Sequence, residues 1–287
     1  MMPDREERRA IHSRMQAAAG RMRLPFRSRT WRGPSGSWQG AGAGSSIDFQ
    51  DHRAYMPGDD PRHIDWQAYA RSGQYSMKLY REEVSPAVDL VLDISSSMFI
   101  SAAKANRTLE LFYFCLESAR QSGAAVHVYV LNGVESARWP VESALGGGDW
   151  LALKFQKTHF ALPWRQGSLR VLISDLLFSG APSPMLTALS AARGTGIIFA
   201  PFTQDEAEPD WNGNIQFADC ESEQSRVQLV SPGLLTRYRA AYQRHFALWS
   251  LEGQRHRVAL ARVGDAGDFH AALRHEALPK GAVEMCG

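Results

Sequence analysis

A doubly wound, mostly parallel α/β sheet is the fold class that the sequence predicts. Near-continuous apolar runs are typical of strands buried on both faces, and they occur at residues 87–92, 124–132, 169–174 and 196–203. Helical segments separate these runs, at residues 102–122 and 183–196. Strands that alternate with helices at this spacing are typical of a parallel sheet with helices on its faces.

The segments on either side of this alternating region also have predictable structures. The apolar spacing at 231–253 predicts a long amphipathic helix, followed by a strand at 255–263 and a terminal helix at 268–278. Upstream, a basic helix over about residues 5–22 precedes a Gly/Ser-rich loop at 33–46.

A short helix is predicted at 61–72, after the loop. Asp60 is a natural N-cap and Gly73 a natural stop, and this helix would carry Trp66 and Tyr69 toward a core. We therefore divide the chain into residues 1–84, an N-terminal extension that packs on the sheet, and residues 85–287, the α/β domain.

Composition excludes several classes of function. A net charge of +2 is too small to indicate a nucleic-acid partner, and the arginine-rich first segment is best interpreted as a solvated basic helix. Apolar runs all fall short of the length that spans a bilayer. The three cysteines lie far apart, which fits a reducing compartment, and the N-terminus lacks an apolar signal segment. We expect a cytoplasmic protein without a membrane span.

Candidate chemistry lies where two strands end. Asp93 follows the run at 87–92, Asp175 follows the run at 169–174, and Ser95 and Ser97 lie two and four residues past Asp93. Ligands of open α/β sheets bind outside the carboxyl ends of the strands, so both carboxylates should face one crevice. Carboxylate and hydroxyl oxygens without sulfur or imidazole are the donor set that Mg²⁺ prefers, and Mn²⁺ would also fit.

The segment DISSSM has two other interpretations. Asp93 could cap the following helix while the serines form a polar turn. A nucleophilic serine would need a glycine-flanked elbow and a histidine base, and the serines here have no glycine neighbours. The second strand-end aspartate favours metal binding over both.

Two stretches resemble known families. Asp93-x-Ser95-x-Ser97 with Asp175 resembles the metal-ion-dependent adhesion site of von Willebrand factor A domains, in which a threonine from an intervening loop, here Thr158, is a further ligand. Upstream, a second motif resembles the signature of bacterial domain-of-unknown-function family 58. Its residues are Arg53, Tyr55, Gly58, Asp59, Asp60, Arg62, Asp65, Trp66 and Arg71.

The resemblance implies a von Willebrand factor A-like fold and a protein-binding function rather than an enzyme. It implies an adaptor that works with a MoxR-class AAA+ ATPase in assembling or activating a client protein that the sequence does not identify. In this hypothesis the ion at Asp93, Ser95 and Ser97 accepts a carboxylate from the partner.

Two alternative functions stay open. The first is a metal-dependent hydrolase or phosphatase that uses Asp93 and Asp175 with His63 or His159 as acid or base. The second is a structural subunit with a vestigial metal site. For the signature residues we expect an internally satisfied network of aspartates and arginines that braces Tyr55 and Trp66 near the partner-binding face.

Overall fold

The computed structural model describes residues 3–26, 38–43, 49–220 and 224–286. The chain forms two compact units. One unit, here the α/β unit, comprises Met1–Phe26 and Ala87–Gly287, and the other, here the signature unit, comprises Arg27–Pro86. The sequence-based division placed residues 1–84 together, whereas here the first 26 residues lie in the α/β unit.

Helices and strands are numbered in chain order over the described residues. The helices are α1 (Arg5–Ala18), α2 (Trp66–Ser72), α3 (Ala102–Gln121), α4 (Val141–Leu145), α5 (Ser183–Ser190), α6 (Gln204–Ala207), α7 (Pro232–His256) and α8 (Phe269–Glu276). The strands are β1 (Met22–Arg23), β2 (Trp38–Ala43), β3 (Phe49–Ala54), β4 (Ser76–Val84), β5 (Ala87–Asp93), β6 (Ala125–Asn132), β7 (Glu135–Trp139), β8 (Gln156–Lys157), β9 (Leu169–Ile173), β10 (Thr195–Phe202), β11 (Gly213–Ala218), β12 (Ser225–Val230), β13 (Ala259–Gly264) and β14 (Glu284–Met285). Two 3₁₀ turns span Pro61–His63 and Ser96–Phe99.

A seven-stranded, mostly parallel sheet flanked by helices forms the core of the α/β unit. Its strand order is β13-β10-β9-β5-β6-β7-β8, and only β7 and β8 run antiparallel to their neighbours. Strand β5 lies at the centre, and its residues from Val88 to Asp93 are all buried. The predicted mixed α/β architecture with a mostly parallel sheet is therefore confirmed.

The sheet has a topological switch point, at which the connections from two adjacent strands lead to opposite sides. From β5 the chain runs through α3 to β6 on one side, and from β9 it runs through α5 to β10 on the other side. A crevice opens outside the carboxyl ends of two strands whose connections diverge in this way, and here those strands are β5 and β9.

One face of the sheet is closed by α5 and α7. Val91, Leu172 and Ile198 of three adjacent strands form a buried cluster with Leu186 of α5 and Trp249 of α7. Full burial of each aliphatic side chain contributes about 1.5–3 kcal/mol relative to exposure. This packing fixes the positions of β5 and β9, and with them the strand ends.

The N-terminal helix α1 packs on α3. Ile11 and Met15 of α1 are 2% and 4% exposed, and the His12 side chain lies 2.6 Å from the carboxylate of Glu117 on α3. The guanidinium of Arg8 lies 5.1 Å from the ring centre of Trp150. The helix is therefore a packing element of the α/β unit and not only a solvated basic surface.

The signature unit contains an antiparallel sheet of order β2-β4-β3. The predicted helix at 61–72 is interrupted, because Ile64 is extended and forms a bridge with Met77. Helix α2 then starts after its own cap, Asp65, and ends at Gly73 with a φ of 68°. The expectation that Trp66 faces a core is wrong, since Trp66 is 58% exposed.

The predicted Gly/Ser-rich loop contains strand β2, which pairs with β4. Its remaining parts, at 33–37 and 44–46, lie outside the described residues. Among the helices that the structure describes, none combines the length and apolar character needed to cross a membrane.

Candidate functional site

Asp93 and Asp175 lie side by side at the carboxyl edge of the sheet. Asp93 is the last residue of β5, Asp175 follows the adjacent strand β9, and the two are 9% and 3% exposed. The buried apolar strands position both carboxylates, and the turn Ser96–Phe99 then leads the chain into α3. The sequence-based expectation that both aspartates face one crevice matches this placement.

Hydrogen bonds from its own loop and from the end of β9 orient the Asp93 carboxylate. Oδ1 accepts from the backbone N of Ser95 at 2.9 Å, and Oδ2 accepts from the hydroxyl of Ser174 at 2.6 Å. Burial raises the pKa of Asp93 above its ordinary value, these hydrogen bonds oppose the rise, and the charge of Asp175 adds to it. Asp93 is therefore an oriented carboxylate at which an uncompensated negative charge is costly.

The two serine hydroxyls are also brought together. Ser95 Oγ and Ser97 Oγ are 3.2 Å apart. Adjacent oxygen ligands in an octahedron with bonds of about 2.0–2.1 Å lie about 2.9 Å apart, so the separation is close to that of two ligands of one ion. This part of the predicted site has a geometry that a small cation could use.

Lys104, in the first turn of α3, occupies the crevice beside Asp175. Its Nζ donates to Asp175 Oδ2 at 2.8 Å and to Glu206 Oε1 at 2.5 Å, and its side chain is 0% exposed. Burial alone lowers the pKa of Lys104, but the charges of Asp175 and Glu206 outweigh it and hold the pKa above its ordinary value. The three side chains form a charge-assisted cluster, in which Lys104 and Asp175 are buried and Glu206 is partly exposed.

Glu206 reaches this cluster from a capping box. Thr203 follows β10, its hydroxyl accepts from the backbone N of Glu206 at 3.1 Å, and its own N donates to Glu206 Oε2 at 2.8 Å. One carboxylate oxygen of Glu206 therefore caps α6 while the other accepts from Lys104.

Thr158, the predicted threonine ligand, lies away from Asp93. It follows β8, three strand positions from β5, which corresponds to about 14 Å at about 4.8 Å per strand. Its hydroxyl donates to Ser136 at 2.9 Å, and its backbone N donates to the carbonyl of Val134 at 2.9 Å. The intervening segment stays at the sheet edge because β8 pairs with β7 there.

The predicted set of five ligands does not fit Mg²⁺ or Mn²⁺ as a whole. Asp93, Ser95 and Ser97 are together, but both oxygens of Asp175 are engaged, Oδ2 by Lys104 and Oδ1 by the backbone N of Leu177 at 3.1 Å. Within the described part of the chain, no group of three or more His, Cys, Asp or Glu side chains is arranged to hold a metal. One carboxylate, that of Asp93, and two hydroxyls are few donors for a divalent ion beside an ammonium.

The histidines considered for acid or base roles have other surroundings. His159 follows Thr158 at the sheet edge, where its backbone N donates to Val134 at 3.0 Å, and His63 lies in the signature unit. His245 of α7 lies nearer to the crevice. Its Nε2 is 2.9 Å from the carbonyl oxygen of Leu176, the residue after Asp175.

A groove runs along the carboxyl edge from the crevice; we call it the carboxyl-edge groove. Its first part, about 510 Å³, has the acidic side chains Asp205, Glu206 and Asp265 in its wall. Its second part, about 290 Å³, is lined by aromatic and aliphatic side chains, including Phe217, Val230 and Leu234. Trp211 and Tyr238 line both parts, so the two adjoin.

The signature unit contains one strong pair between the predicted arginines and aspartates. Arg53 donates to both carboxylate oxygens of Asp59 at 2.7 and 2.6 Å, and Asp59 also accepts from the backbone N of Met56. The hydrogen bond from Arg53, with that backbone N, lowers the pKa of Asp59. This bidentate contact shapes the turn, in which Gly58 has a φ of 105° that other residues rarely adopt.

The other two aspartates, Asp60 and Asp65, are helix caps. Asp60 accepts from the backbone N of Arg62 at 3.0 Å, and Asp65 accepts from those of Gln67 and Ala68. The second oxygen of Asp65 lies 2.7 Å from His52, and together these hydrogen bonds lower the pKa of Asp65 to about 2.

The remaining signature residues lie at the surface of the unit. Arg62 is exposed, and Arg71 donates to the carbonyl of Gln67 at 3.2 Å. Tyr55 and Trp66 each have a ring about 6 Å from that of Tyr75, at 6.2 and 6.5 Å between centroids. The predicted network is thus reduced to one arginine–aspartate pair, two caps and an aromatic cluster.

Sequence reasoning missed Lys104, Glu206 and Ser174. Glu206 had a readable signal, since Thr203-x-x-Glu206 directly after an apolar strand is a capping-box pattern at a carboxyl edge. Lys104 had a weaker one, because a lysine in the first turn of a helix opposes the helix dipole and needs a compensating charge. Ser174 directly precedes Asp175 and was placed inside the predicted strand.

Comparison with known proteins gives one result. No curated protein and no solved structure matches the chain. Residues 51–145 match the model of a family described as "Protein of unknown function DUF58", which is about a third of the chain. The matched part includes the signature residues, Asp93, Ser95, Ser97 and Lys104, and it ends before Thr158 and Asp175. The match supports the DUF58 family, the family that the signature motif resembles.

Proposed function

We propose that this protein is an interaction domain, an adaptor rather than an enzyme, and that a partner protein binds in the carboxyl-edge groove. The observation that carries the proposal is the groove itself. Its acidic part lies outside the carboxyl ends of β10 and β13, which Thr203 and Asp265 directly follow, and this is the edge at which open α/β sheets bind their ligands.

The lining of the groove supports a protein segment as the ligand. Its acidic part includes the exposed Asp205, and its apolar part offers the rings of Trp211 and Phe217, 5.2 Å apart between centroids. A segment with a lysine or arginine near a large apolar side chain would complement both parts. Aromatic anchors of this kind supply much of the affinity of protein interfaces.

The surroundings of the strand-end carboxylates support an adaptor over a hydrolase. Catalysis by Asp93 and Asp175 would need a free carboxylate and a nearby acid or base. Asp175 is paired with Lys104, and His159 lies at the far sheet edge. A structural subunit without metal chemistry is consistent with the same contacts, and partner binding separates it from an adaptor.

The partner is a MoxR-class AAA+ ATPase in our proposal, acting on a client protein in the cytoplasm. This part rests on the family resemblance. The predicted Mg²⁺-dependent form, in which an ion at Asp93, Ser95 and Ser97 accepts a partner carboxylate, stays a prediction. The engagement of Asp175 by Lys104 favours the metal-independent form.

The test is equilibrium binding of the purified protein to the purified MoxR-class ATPase of the same genome. We expect Trp211→Ala to weaken binding at least about tenfold, since loss of one anchor costs about 1.4 kcal/mol or more. Asp205→Lys, at an exposed position, should weaken binding and reduce its dependence on salt. Leu251→Ala removes an apolar side chain that is 49% exposed outside the groove, and it should bind as the wild type does.

The signature unit is a separate arm of this test. Arg62→Ala changes an exposed side chain and should leave the fold intact. Weaker binding by Arg62→Ala would add the signature unit to the binding surface. Wild-type binding by Trp211→Ala and Asp205→Lys alike would contradict the groove, and absence of any wild-type binding would contradict the proposed partner.

A further inference from the structure

Lys104 has a position that opposes two general tendencies of proteins. Lysine side chains are almost never fully buried unless paired, and a cation is unfavourable near the N-terminus of a helix. Lys104 is 0% exposed and lies three residues after Ser101, the N-cap of α3. Only strong compensation holds an ammonium there, and it comes from Asp175 and Glu206 at 2.8 and 2.5 Å.

We infer that the Lys104 ammonium is a built-in cation that takes the place of a divalent metal at the carboxyl edge, so that this edge is formed without metal. The inference does not rest on the proposed function, because it concerns what neutralises the carboxylates and not what binds in the groove.

Charge and donor count both lead to this inference. The cation joins the end of β9, through Asp175, to α6 beyond β10, through Glu206. A metal ion bound to Asp175 would lie close to the ammonium. The two positive charges would repel each other strongly, because the local dielectric constant is low. The donors that remain, Asp93, Ser95 and Ser97, provide one carboxylate, and both of its oxygens already accept hydrogen bonds from Ser95 N and Ser174.

The geometry also explains why the loop resembles a metal site. Ser95 and Ser97 keep hydroxyls 3.2 Å apart beside two aspartates, which is the arrangement that a hard cation uses. Removing the ammonium should therefore uncover a functional cation site. This gain of cation binding distinguishes an ammonium that replaces a metal ion from an ordinary salt bridge, whose loss would create no metal site.

The experiment is a Mn²⁺ titration of the full chain, followed by electron paramagnetic resonance, with thermal melts in Mg²⁺ and in chelator. Wild type should bind no stoichiometric Mn²⁺, and its Tm should be the same in Mg²⁺ and in chelator. Lys104→Ala should bind one Mn²⁺ per chain, and its Tm should rise by several degrees when Mg²⁺ replaces chelator. Lys280→Ala removes an exposed partner of Glu276 and should behave as the wild type does.

Two results would overturn the inference. One is a wild-type protein that binds one Mn²⁺ per chain and loses it in Asp93→Ala. The other is a folded Lys104→Ala protein that gains no Mn²⁺ binding, since the ammonium would then not occupy the place of a metal ion. If Lys104→Ala does not fold, the wild-type titration alone decides, with Asp93→Ala as its control.

Discussion

The ammonium of Lys104 lies 2.8 Å from the carboxylate of Asp175, and the Lys104 side chain is wholly shielded from solvent. The pair joins the first turn of α3 to the end of β9, at the topological switch point of the sheet. A strand end that the sequence presents as a metal ligand is thus held by a residue of the same chain.

Loss of this cation should destabilise the α/β unit strongly. Lys104→Ala leaves the buried Asp175 and the partly exposed Glu206 without their counter-charge, and breaking a buried pair such as Lys104–Asp175 in this way costs about 3–5 kcal/mol. Chemical denaturation in chelator measures the effect. Lys280→Ala, which removes an exposed i,i+4 pair, should change the free energy of unfolding by less than about 0.5 kcal/mol.

A second buried carboxylate should be as sensitive for the same physical reason. Asp89, in the middle of β5, is 0% exposed and accepts from Arg165 Nε at 2.8 Å and from the Ser168 hydroxyl at 2.6 Å. Asp89→Ala should cost about 3–5 kcal/mol, because it removes the buried carboxylate that Arg165 and Ser168 share. Glu252→Ala, whose partner Arg255 is 65% exposed, is the matched control. Equal losses of stability in both variants would contradict the special role of the buried Asp89 carboxylate.

The packing of α1 on α3 predicts that the N-terminal helix contributes to the stability of the α/β unit. Ile11→Ala opens a cavity at a side chain that is 2% exposed and should lower the stability of the α/β unit by about 2–5 kcal/mol. Arg14→Ala, at a side chain that is 58% exposed on the same helix, should have little effect. Hydrogen exchange of the α3 amides is the measurement, and unchanged protection in Ile11→Ala would contradict the contact with α3.

Asp65 predicts an acid-dependent stability of the signature unit. Its pKa is about 2, below the ordinary 3.8, because it accepts hydrogen bonds from His52 and from the first turn of α2. The contribution of the folded carboxylate is therefore complete above pH 3.8 and is lost as the pH falls to about 2. Asp65→Asn should be less stable near neutrality and should lose less stability in this window. Thermal melts of the wild type and of Asp65→Asn, followed by circular dichroism between pH 3.8 and about 2, test this prediction. Identical pH profiles of the two proteins would contradict it.

Strand-level features of the fold were predictable because they depend on local pattern. The runs at 87–92 and 169–174 are apolar on both faces, which identifies β5 and β9 as buried parallel strands and places Asp93 and Asp175 at one edge. The caps Asp60 and Gly73 were readable for the same reason, since capping is a property of neighbouring residues.

Features that depend on distant contacts were not predictable in this way. Lys104 and Glu206 are separated by 102 positions in the chain, and each has an ordinary local interpretation. Thr158 was assigned from the resemblance to the adhesion site, but the pairing of β8 with β7 keeps it at the edge. Trp66 follows a local helical pattern, yet the break at Ile64 turns its ring to solvent.

A crystal structure grown in Mn²⁺, with anomalous differences collected at the manganese edge, tests the central claim most directly. Our account predicts Lys104 Nζ within hydrogen-bonding distance of both Asp175 and Glu206, with no anomalous peak at the carboxyl edge. An anomalous peak bonded to Ser95 Oγ and Ser97 Oγ, with Lys104 turned away from Asp175, would contradict it.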